Sequence, residues 1–474
     1  MSDTHSETTT GGTDALSPET IDELRQALSG PLVTPKSPDY DETRSIWNGM
    51  IDRRPTVIAR CRNADDVIHA VNFARDQGLA VSVRGGGHNI AGNAVCDDGM
   101  MIDLSLMKGV EVDAERLIAR VEGGSTLADV DGATQARGLA TPVGINSTTG
   151  IAGLTLGGGF GWLSRKFGLT IDNLLGVDIV TASGQLLHAS ETENADLFWG
   201  IRGGGGNFGV VTSFEFRLHH VGPIVLAGLI IHPLEAAAET LRFYRDFMKT
   251  APEEFSCWFV MRKAPPAPFV PEEWHGREIL GLAVCYCGSV EDGERVAQPL
   301  RDFGNPVVDI IGPMPFIAWQ QALDAGQAPG LRNYWKSHDF LELSDGLIDT
   351  MIEHVWKLPD PHSEVAFAAL GGAVSRVPVE ATAYTHREPT YSINVHGRWE
   401  DPAKDAECIA WARGLLDATA PFATGGVYVN FMTGEEGDRV KMAYGVNYDR
   451  LVALKNTYDP KNLFRMNQNI RPTT

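Results

Sequence analysis

The sequence predicts an α+β fold in two parts with a returning tail. Three observations carry that prediction. A strand–helix–strand run occupies residues 56–84, a hairpin and a long β-prone strand fill 174–218, and near residue 220 the texture changes to long amphipathic helices alternating with strands. The chain is 474 residues long, enough for two or three domains and a sizeable core.

Each element has a local signal. Ser17 offers a capping hydroxyl and Pro18 takes the first helical position, with Ile21, Leu24 and Leu28 on one face. Residues 56–60 read as a strand. Asn63 caps a helix that Gly78 ends, and 80–84 is the next strand, completing a β-α-β unit. A Gly-rich loop (85–92), a strand (100–104) and two strand-like runs (109–113, 117–122) follow. A helix is predicted from a Ser125 cap to Gly138, then a second Gly-rich stretch at 144–161. Residues 174–190 read as a hairpin with a Ser-Gly turn, 193–200 as a short acidic helix, and 210–218 as a strand rich in β-branched and aromatic residues. Beyond 220, helices at 235–249, 289–302 and 344–356 alternate with strands at 279–287, 307–311 and 365–374. In the strand 390–399, Ser392, Asn394 and His396 share one face, and Tyr391, Ile393 and Val395 the other. Residues 438–456 are helical and the last segment is irregular. Residues 1–16, rich in Ser, Thr and Gly, are predicted to be disordered.

A formal net charge of −21 argues against nucleic acid or an anionic membrane as partner, since both need a basic face. The N-terminus lacks a charged segment followed by an apolar run, and no stretch of 18 apolar residues appears, so neither signal peptide nor membrane span is expected. Six scattered Cys residues complete no zinc pattern; they read as free thiols of a reducing, cytoplasmic compartment, and no metal is expected.

The glycines are the chemical clue. Of the 51, 18 fall in the windows 85–99, 144–161 and 200–209. One literal G-x-G-x-x-G exists, at Gly204, Gly206 and Gly209, but a helix precedes it and a strand follows. No helix N-terminus faces a pyrophosphate there, so the fold is not Rossmann. The run Arg84-Gly85-Gly86-Gly87-His88-Asn89 leaves the end of a strand, where consecutive glycines can turn N–H groups inward as an anion nest beside a cation. Several such loops in one half of a chain predict a large ligand lying against bare backbone.

Four segments, RGGGHN, TGIAGLTLGGGFG, RGGGGNFGVVT and NLFRMNQNIRP, occur in this order. Through them the chain resembles the berberine-bridge-enzyme-like flavoproteins of the vanillyl-alcohol-oxidase/p-cresol-methylhydroxylase (PCMH) superfamily, over about residues 40–472. The resemblance implies a PCMH-type FAD-binding domain (17–220), an α+β substrate domain with an antiparallel sheet (221–420) and a C-terminal segment (421–474) returning to the first domain. It implies FAD contacts from Arg84, Gly85, Gly86, Gly87 and Asn89, and a covalent bond from His88 to the flavin 8α carbon. From the second stretch it implies contacts by Thr149, Gly150, Gly153, Gly157, Gly158, Gly159 and Gly161. Gly205, Asn207, Gly209 and Val210 match a segment near the adenine and ribose, and Tyr428, Asn430, Asn467 and Asn469 residues at the ring edge. Many relatives add a cysteinyl bond; that position falls at Asn146 here, so a single histidyl bond is expected.

The resemblance implies an oxidase that moves hydride from an alcohol, sugar or amine C–H to flavin N5, with O2 as acceptor and hydrogen peroxide as product. Its alternatives are an O2-resistant flavin dehydrogenase and a flavin-binding protein without turnover. Several relatives place a Tyr base where this chain has Phe431, which takes no proton. Either no base is needed, as for an amine that binds neutral, or it lies elsewhere: His396, Asn394 or Ser392 on one strand face, Tyr391 on the other, with Tyr384 and His386 near; imidazole is the side-chain type that ordinarily titrates near neutrality.

Overall fold

The computed structural model describes residues 16–388 and 390–473. The predicted disordered segment 1–16, apart from Leu16, lies outside them. The first helix is Pro18–Ala27, and the Ser17 hydroxyl accepts the Thr20 N–H at 3.1 Å.

The N-terminal half carries two larger sheets. The first has strand order Leu32–Val33, Val57–Arg60, Met100–Asp103, Val81–Arg84. The predicted β-α-β unit therefore holds a guest. Met100–Asp103 inserts between Val57–Arg60 and Val81–Arg84, parallel to both. Burial on both sides explains the continuous apolar runs of these strands. The connecting helix Ala64–Asp76 starts where Asn63 Oδ1 accepts the Asp66 N–H at 2.9 Å.

The second sheet is antiparallel, in the order Val110–Asp113, Ile118–Glu122, Gly209–Arg217, Leu174–Thr181, Leu186–Ser190. Its core draws in Tyr444, Leu451, Leu454 and Ile470 from the tail, so the C-terminus packs back onto the N-terminal half. Two details correct the sequence reading. The helix Leu127–Gln135 is capped by Thr126 rather than Ser125, because Asp129 lies three residues on and completes a capping box. The stretch 144–161 contains a short helix, Ile151–Leu156.

The third sheet has eight strands. Seven run Val308–Asp309, Ile224–Pro233, Glu278–Tyr286, Phe255–Lys263, Glu364–Ala369, Tyr391–Trp399, Arg332–Phe340, and Gly312–Pro315 pairs beside Ile224–Pro233. Its two faces differ. Tyr391, Ile393 and Val395 join Leu241, Met351 and Leu415 in the core under the helices. Ala227, Trp258, Ala283 and Ala368 point the other way, onto Phe160, Trp162 and Tyr428 of the N-terminal half and tail. The predicted strand 365–374 stops at Ala369, since Gly371 and Gly372 take positive φ and Ala373–Arg376 turns into a helix. Of the predicted strand 307–311 only Val308–Asp309 forms.

Buried polar links join these parts. Arg387 donates to both Asp172 oxygens at 2.7 and 2.8 Å, and Asp172 also accepts the Leu169 N–H, closing the loop after the second glycine stretch. Asp131, 1% exposed, accepts from Gln320 Nε2 at 3.0 Å. Burial pushes the Asp131 carboxyl up to about 7, against the smaller opposing effect of that bond. The sign follows directly. The folded chain binds this proton more tightly than the unfolded one, so the stabilisation is full below about pH 4 and is lost as pH rises through 7. Asp131→Asn should therefore raise stability at pH 8 by about 2–4 kcal/mol, at 1.36 kcal/mol per pKa unit, and change little at pH 4. Urea unfolding at the two pH values measures this; an equal shift at both would remove Asp131 as the source.

Candidate active site

Two clefts meet at Gly85. The first spans about 930 Å³, part of it open solvent. Its wall mixes three parts of the chain: Val81, Val83 and Asn89; Gly153, Gly205, Gly209 and Val210; and Asn430, Asn467 and Gln468. The second, about 850 Å³, is bounded by Trp47, Arg84, Gly86, Gly87, His88, Lys108 and Thr148.

The loop 85–89 leaves the end of the strand Val81–Arg84. Among the described residues, the N–H groups of Gly86, Gly87, His88 and Asn89 donate to no protein acceptor. Four free donors in a row, with Gly87 at φ 74°, leave this loop able to turn N–H groups toward an anion. Arg84 plays a different part from the one expected. Its guanidinium grips Asp103, Nε to Oδ1 at 2.9 Å and Nη2 to Oδ2 at 2.6 Å, and also donates to the Thr43 and Ser45 carbonyls. Asp103 is fully buried; burial opposes its ionisation, but Arg84 and Ser105 outweigh that and lower its pKa. Arg84 thus anchors the loop, with its charge already matched.

The glycines divide into two groups. A Cβ on Gly153 or Gly206 would meet nothing within 4 Å, so these two leave open space beside the first cleft. A Cβ on Gly86 would overlap the Gly150 backbone, and one on Gly150 the Gly86 backbone: two loops cross here at a separation only glycine permits. Gly157 is held against Asn430, Gly158 against Tyr384, Gly159 against Thr170 and Gly161 against the Val143 carbonyl. Gly150, Gly157, Gly158, Gly159 and Gly161 line neither cleft and pack closely against other parts of the chain.

Asn430 lines the first cleft and donates Nδ2 to the Gly153 and Leu154 carbonyls and to the Tyr428 oxygen. Tyr428 is buried, its oxygen accepting the Gly159 N–H at 3.0 Å, and burial pushes its pKa up to about 12. It braces the glycine loop and lines neither cleft. Asn207 is likewise enclosed: Nδ2 donates to the Gly204 and Gln468 carbonyls and Oδ1 accepts the Ile470 N–H. It pins the tail to the third glycine run. Asn467 lines the cleft, with its Oδ1 buried and unpartnered; Asn469 Oδ1 is unpartnered too. Thr149 lines neither cleft. Its neighbour Thr148 does, and touches His88 Nε2 at 2.9 Å. Free donors in the second cleft, with two open glycines and an orphaned amide oxygen in the first and Gly85 shared by both, fit an extended anionic ligand such as FAD.

His88 is half-buried and stacked on Trp47 at 5.0 Å. Burial and the nearby Arg398 charge push its pKa down to about 4, so the ring is neutral at physiological pH. Trp47 meets Trp335 at 5.5 Å, and Trp335 stacks on His396 at 4.4 Å. Three ring contacts thus lead from the nest to the polar face of the third sheet. There His396 Nδ1 lies 3.0 Å from Glu364 Oε1. Burial opposes Glu364 ionisation, but Arg262, His396 and Arg398 overcome it and hold the pKa at about 2. Ser337 Oγ, Ser392 Oγ and Asn394 Oδ1 on the same face are buried and unpartnered. Tyr391 is on the opposite face, in the helix-side core beside Phe367, so the strand's period of two removes it as a base. Phe431 packs against Tyr428, Phe160 and Trp335.

The sequence reading passed over Thr148, Trp47 and Glu364. Thr148 stood beside the residue chosen; Trp47 and Glu364 carry no local signal, because their partners are distant in the chain. Among the described residues, no group of three or more His, Cys, Asp and Glu could hold a metal ion, and no helix is long and apolar enough to cross a membrane.

Comparison with known proteins places this geometry. Residues 55–190 match an FAD-binding domain model, and 427–471 match the "berberine and berberine like" model. An FAD-linked oxidoreductase of Dictyostelium discoideum is 32% identical over 95% of this chain and 97% of that one. The (R)-6-hydroxynicotine oxidase of Paenarthrobacter nicotinovorans is 30% identical, over 94% and 97%. The crystal structure of 6-hydroxy-D-nicotine oxidase from Arthrobacter nicotinovorans superposes with a TM-score of 0.84 at 30% identity, covering 94% of this chain and 98% of that one. Chitooligosaccharide oxidase superposes with a TM-score of 0.83 at 25% identity, over 96% and 100%. With two matched domain models, the PCMH-type fold and relatives aligned end to end, the chain belongs to the berberine-like family and is an FAD-dependent oxidoreductase.

Proposed function

We propose that the protein is an oxidase carrying FAD on a single histidyl bond through His88, and that it takes hydride from an alcohol, sugar or amine C–H and returns the electrons to O2 as hydrogen peroxide. The observation that carries the catalytic part is the His396–Glu364 pair. An ionised carboxylate at 3.0 Å from Nδ1 holds the proton there and leaves Nε2 bare. A bare Nε2, on the sheet face that also carries Asn394, can take the proton of a hydroxyl as its carbon gives up hydride. The flavin, when bound, supplies the two-electron acceptor. Among relatives, one is an oxidase of 6-hydroxynicotine and another of chitooligosaccharide; both names fit removal of hydride from carbon bearing nitrogen or oxygen.

For the cofactor, the nest 86–89 would hold the pyrophosphate, with Gly153, Gly205, Gly206 and Asn467 along the rest of the ligand. Residues 17–220 and 421–474 would form the FAD domain, and 221–420 would cover it with the polar sheet face. Neutral His88, which lines the second cleft three residues from the shared Gly85, is a competent nucleophile. The test is direct. Wild-type protein should keep its yellow colour through acid precipitation, and His88→Ala should release all of it. Colour lost by the wild type, or retained by the variant, would overturn the histidyl bond. Peroxide release on aerobic turnover distinguishes this oxidase from an O2-resistant dehydrogenase.

A further inference from the structure

We infer that Asn146 and Thr148 are positioning residues for cofactor attachment, holding the His88 imidazole with its proton on Nε2 and its lone pair on Nδ1. The inference rests on the proposed histidyl bond and goes on to name the residues that orient the ring for it.

Asn146 Oδ1 accepts the Thr148 backbone N–H at 3.1 Å. A backbone N–H only donates, so the amide must present its oxygen; the flipped amide would set donor against donor. The Thr148 hydroxyl lies 2.7 Å from that same Oδ1. Its hydrogen must point there, since two bare oxygens at 2.7 Å would repel. Thr148 Oγ1 then offers only a lone pair to His88 Nε2 at 2.9 Å. Nε2 therefore carries the hydrogen, and Nδ1, with no protein partner among the described residues, keeps a free pair in the ring plane. The stack on Trp47 fixes the plane itself. Asn146 stands where many family members place a second flavin-bonding cysteine, so one position would serve attachment by two different means.

Nδ1 bonds to the flavin 8α carbon. One hydrogen leaves that methyl group, and one leaves Nε2, passing by way of the Thr148 hydroxyl to solvent at the half-buried ring. The two electrons and two hydrogens reduce O2 to hydrogen peroxide, leaving an oxidised, singly linked flavin.

The test reads the linkage isomer, not activity. Holoprotein is digested, and the flavinyl peptide is analysed by NMR for the substituted nitrogen. Wild type should give the Nδ1 isomer alone. Asn146→Asp keeps the acceptor and should do the same. Asn146→Leu frees the Thr148 hydroxyl to donate to Nε2; it should slow covalent attachment about tenfold, the factor expected for loss of one hydrogen bond, or yield the Nε2 isomer. Thr148→Val should slow it similarly, and Thr148→Ser should restore it. An Nε2-linked wild type would overturn this inference and leave the histidyl bond standing. Unchanged isomer and rate in Asn146→Leu would overturn the role of Asn146. A wild type whose flavin leaves in acid would overturn the histidyl bond and this inference together.

Discussion

His396→Ala should lower turnover about 10²–10⁴-fold with flavin content unchanged, the range expected for loss of a general base. The measurement is anaerobic flavin bleaching, using whichever alcohol, sugar or amine reduces the wild type fastest. The loss should fall on the reduction rate rather than on substrate affinity, because the ring works on the proton that leaves with the hydride. Glu364→Gln should act in the same direction through tautomerism. A carboxylate can only accept from Nδ1, whereas an amide can donate to it and move the ring proton to Nε2, where it blocks the base. The sheet geometry makes this a specific claim. His396 and Glu364 are paired across adjacent strands, and Gln327 Nε2 also donates to Glu364 at 3.1 Å, so the carboxylate has little freedom to turn. Reduction within threefold of wild type in His396→Ala would end the assignment. An amine substrate that binds neutral would need no base, and a large loss seen only with alcohols would separate the two chemistries.

Asp459→Ala should destabilise the fold by about 3–5 kcal/mol, the cost of leaving a buried charge without its partner. Lys455 and Asp459 are both fully buried and 2.7 Å apart. Lys455 Nζ also donates to the Asn207 and Phe464 carbonyls at 2.8 and 2.9 Å. Asp459 accepts the Leu463 and Phe464 N–H groups at 2.8 and 2.9 Å. The pair thus ties the last helix, the third glycine run and the tail into one knot. Burial lowers the Lys455 pKa and Asp459 counters it, so without the carboxylate the amine loses what keeps it charged. Urea unfolding measures the loss, and flavin content should fall with it because Phe464, Asn467 and Gln468 line the first cleft. A shift under about 0.5 kcal/mol, the size of an ordinary surface change, would show that the knot does not hold the tail.

What the sequence made legible follows from range. The caps at Ser17 and Asn63 and the alternating faces of the strand Tyr391–Trp399 are written within a few residues, and the structure reproduces them. The glycine windows serve two ends. Gly153 and Gly206 leave room for a ligand, while Gly86 and Gly150 make room for each other. Nothing local distinguishes the two uses, because the partner of Gly86 lies on another loop. Arg84 looked like a free cation for the same reason: its match, Asp103, sits on the strand that slips between two others. Lys455 reads on its helix like any solvated lysine, and only the tail folding back over it shows otherwise.

The first cleft is built from both ends of the chain: Val81 and Val83 stand in the same wall as Phe464, Met466, Asn467 and Gln468. Order of synthesis then matters. A chain leaving the ribosome presents the loop 85–89 early, but the wall it faces is made last. A ligand met during translation finds only a nest on an open surface. The residues that close this wall are thus the last to be made, and loss of 459–474 would take Phe464, Met466, Asn467 and Gln468 from it together with the partner of Lys455.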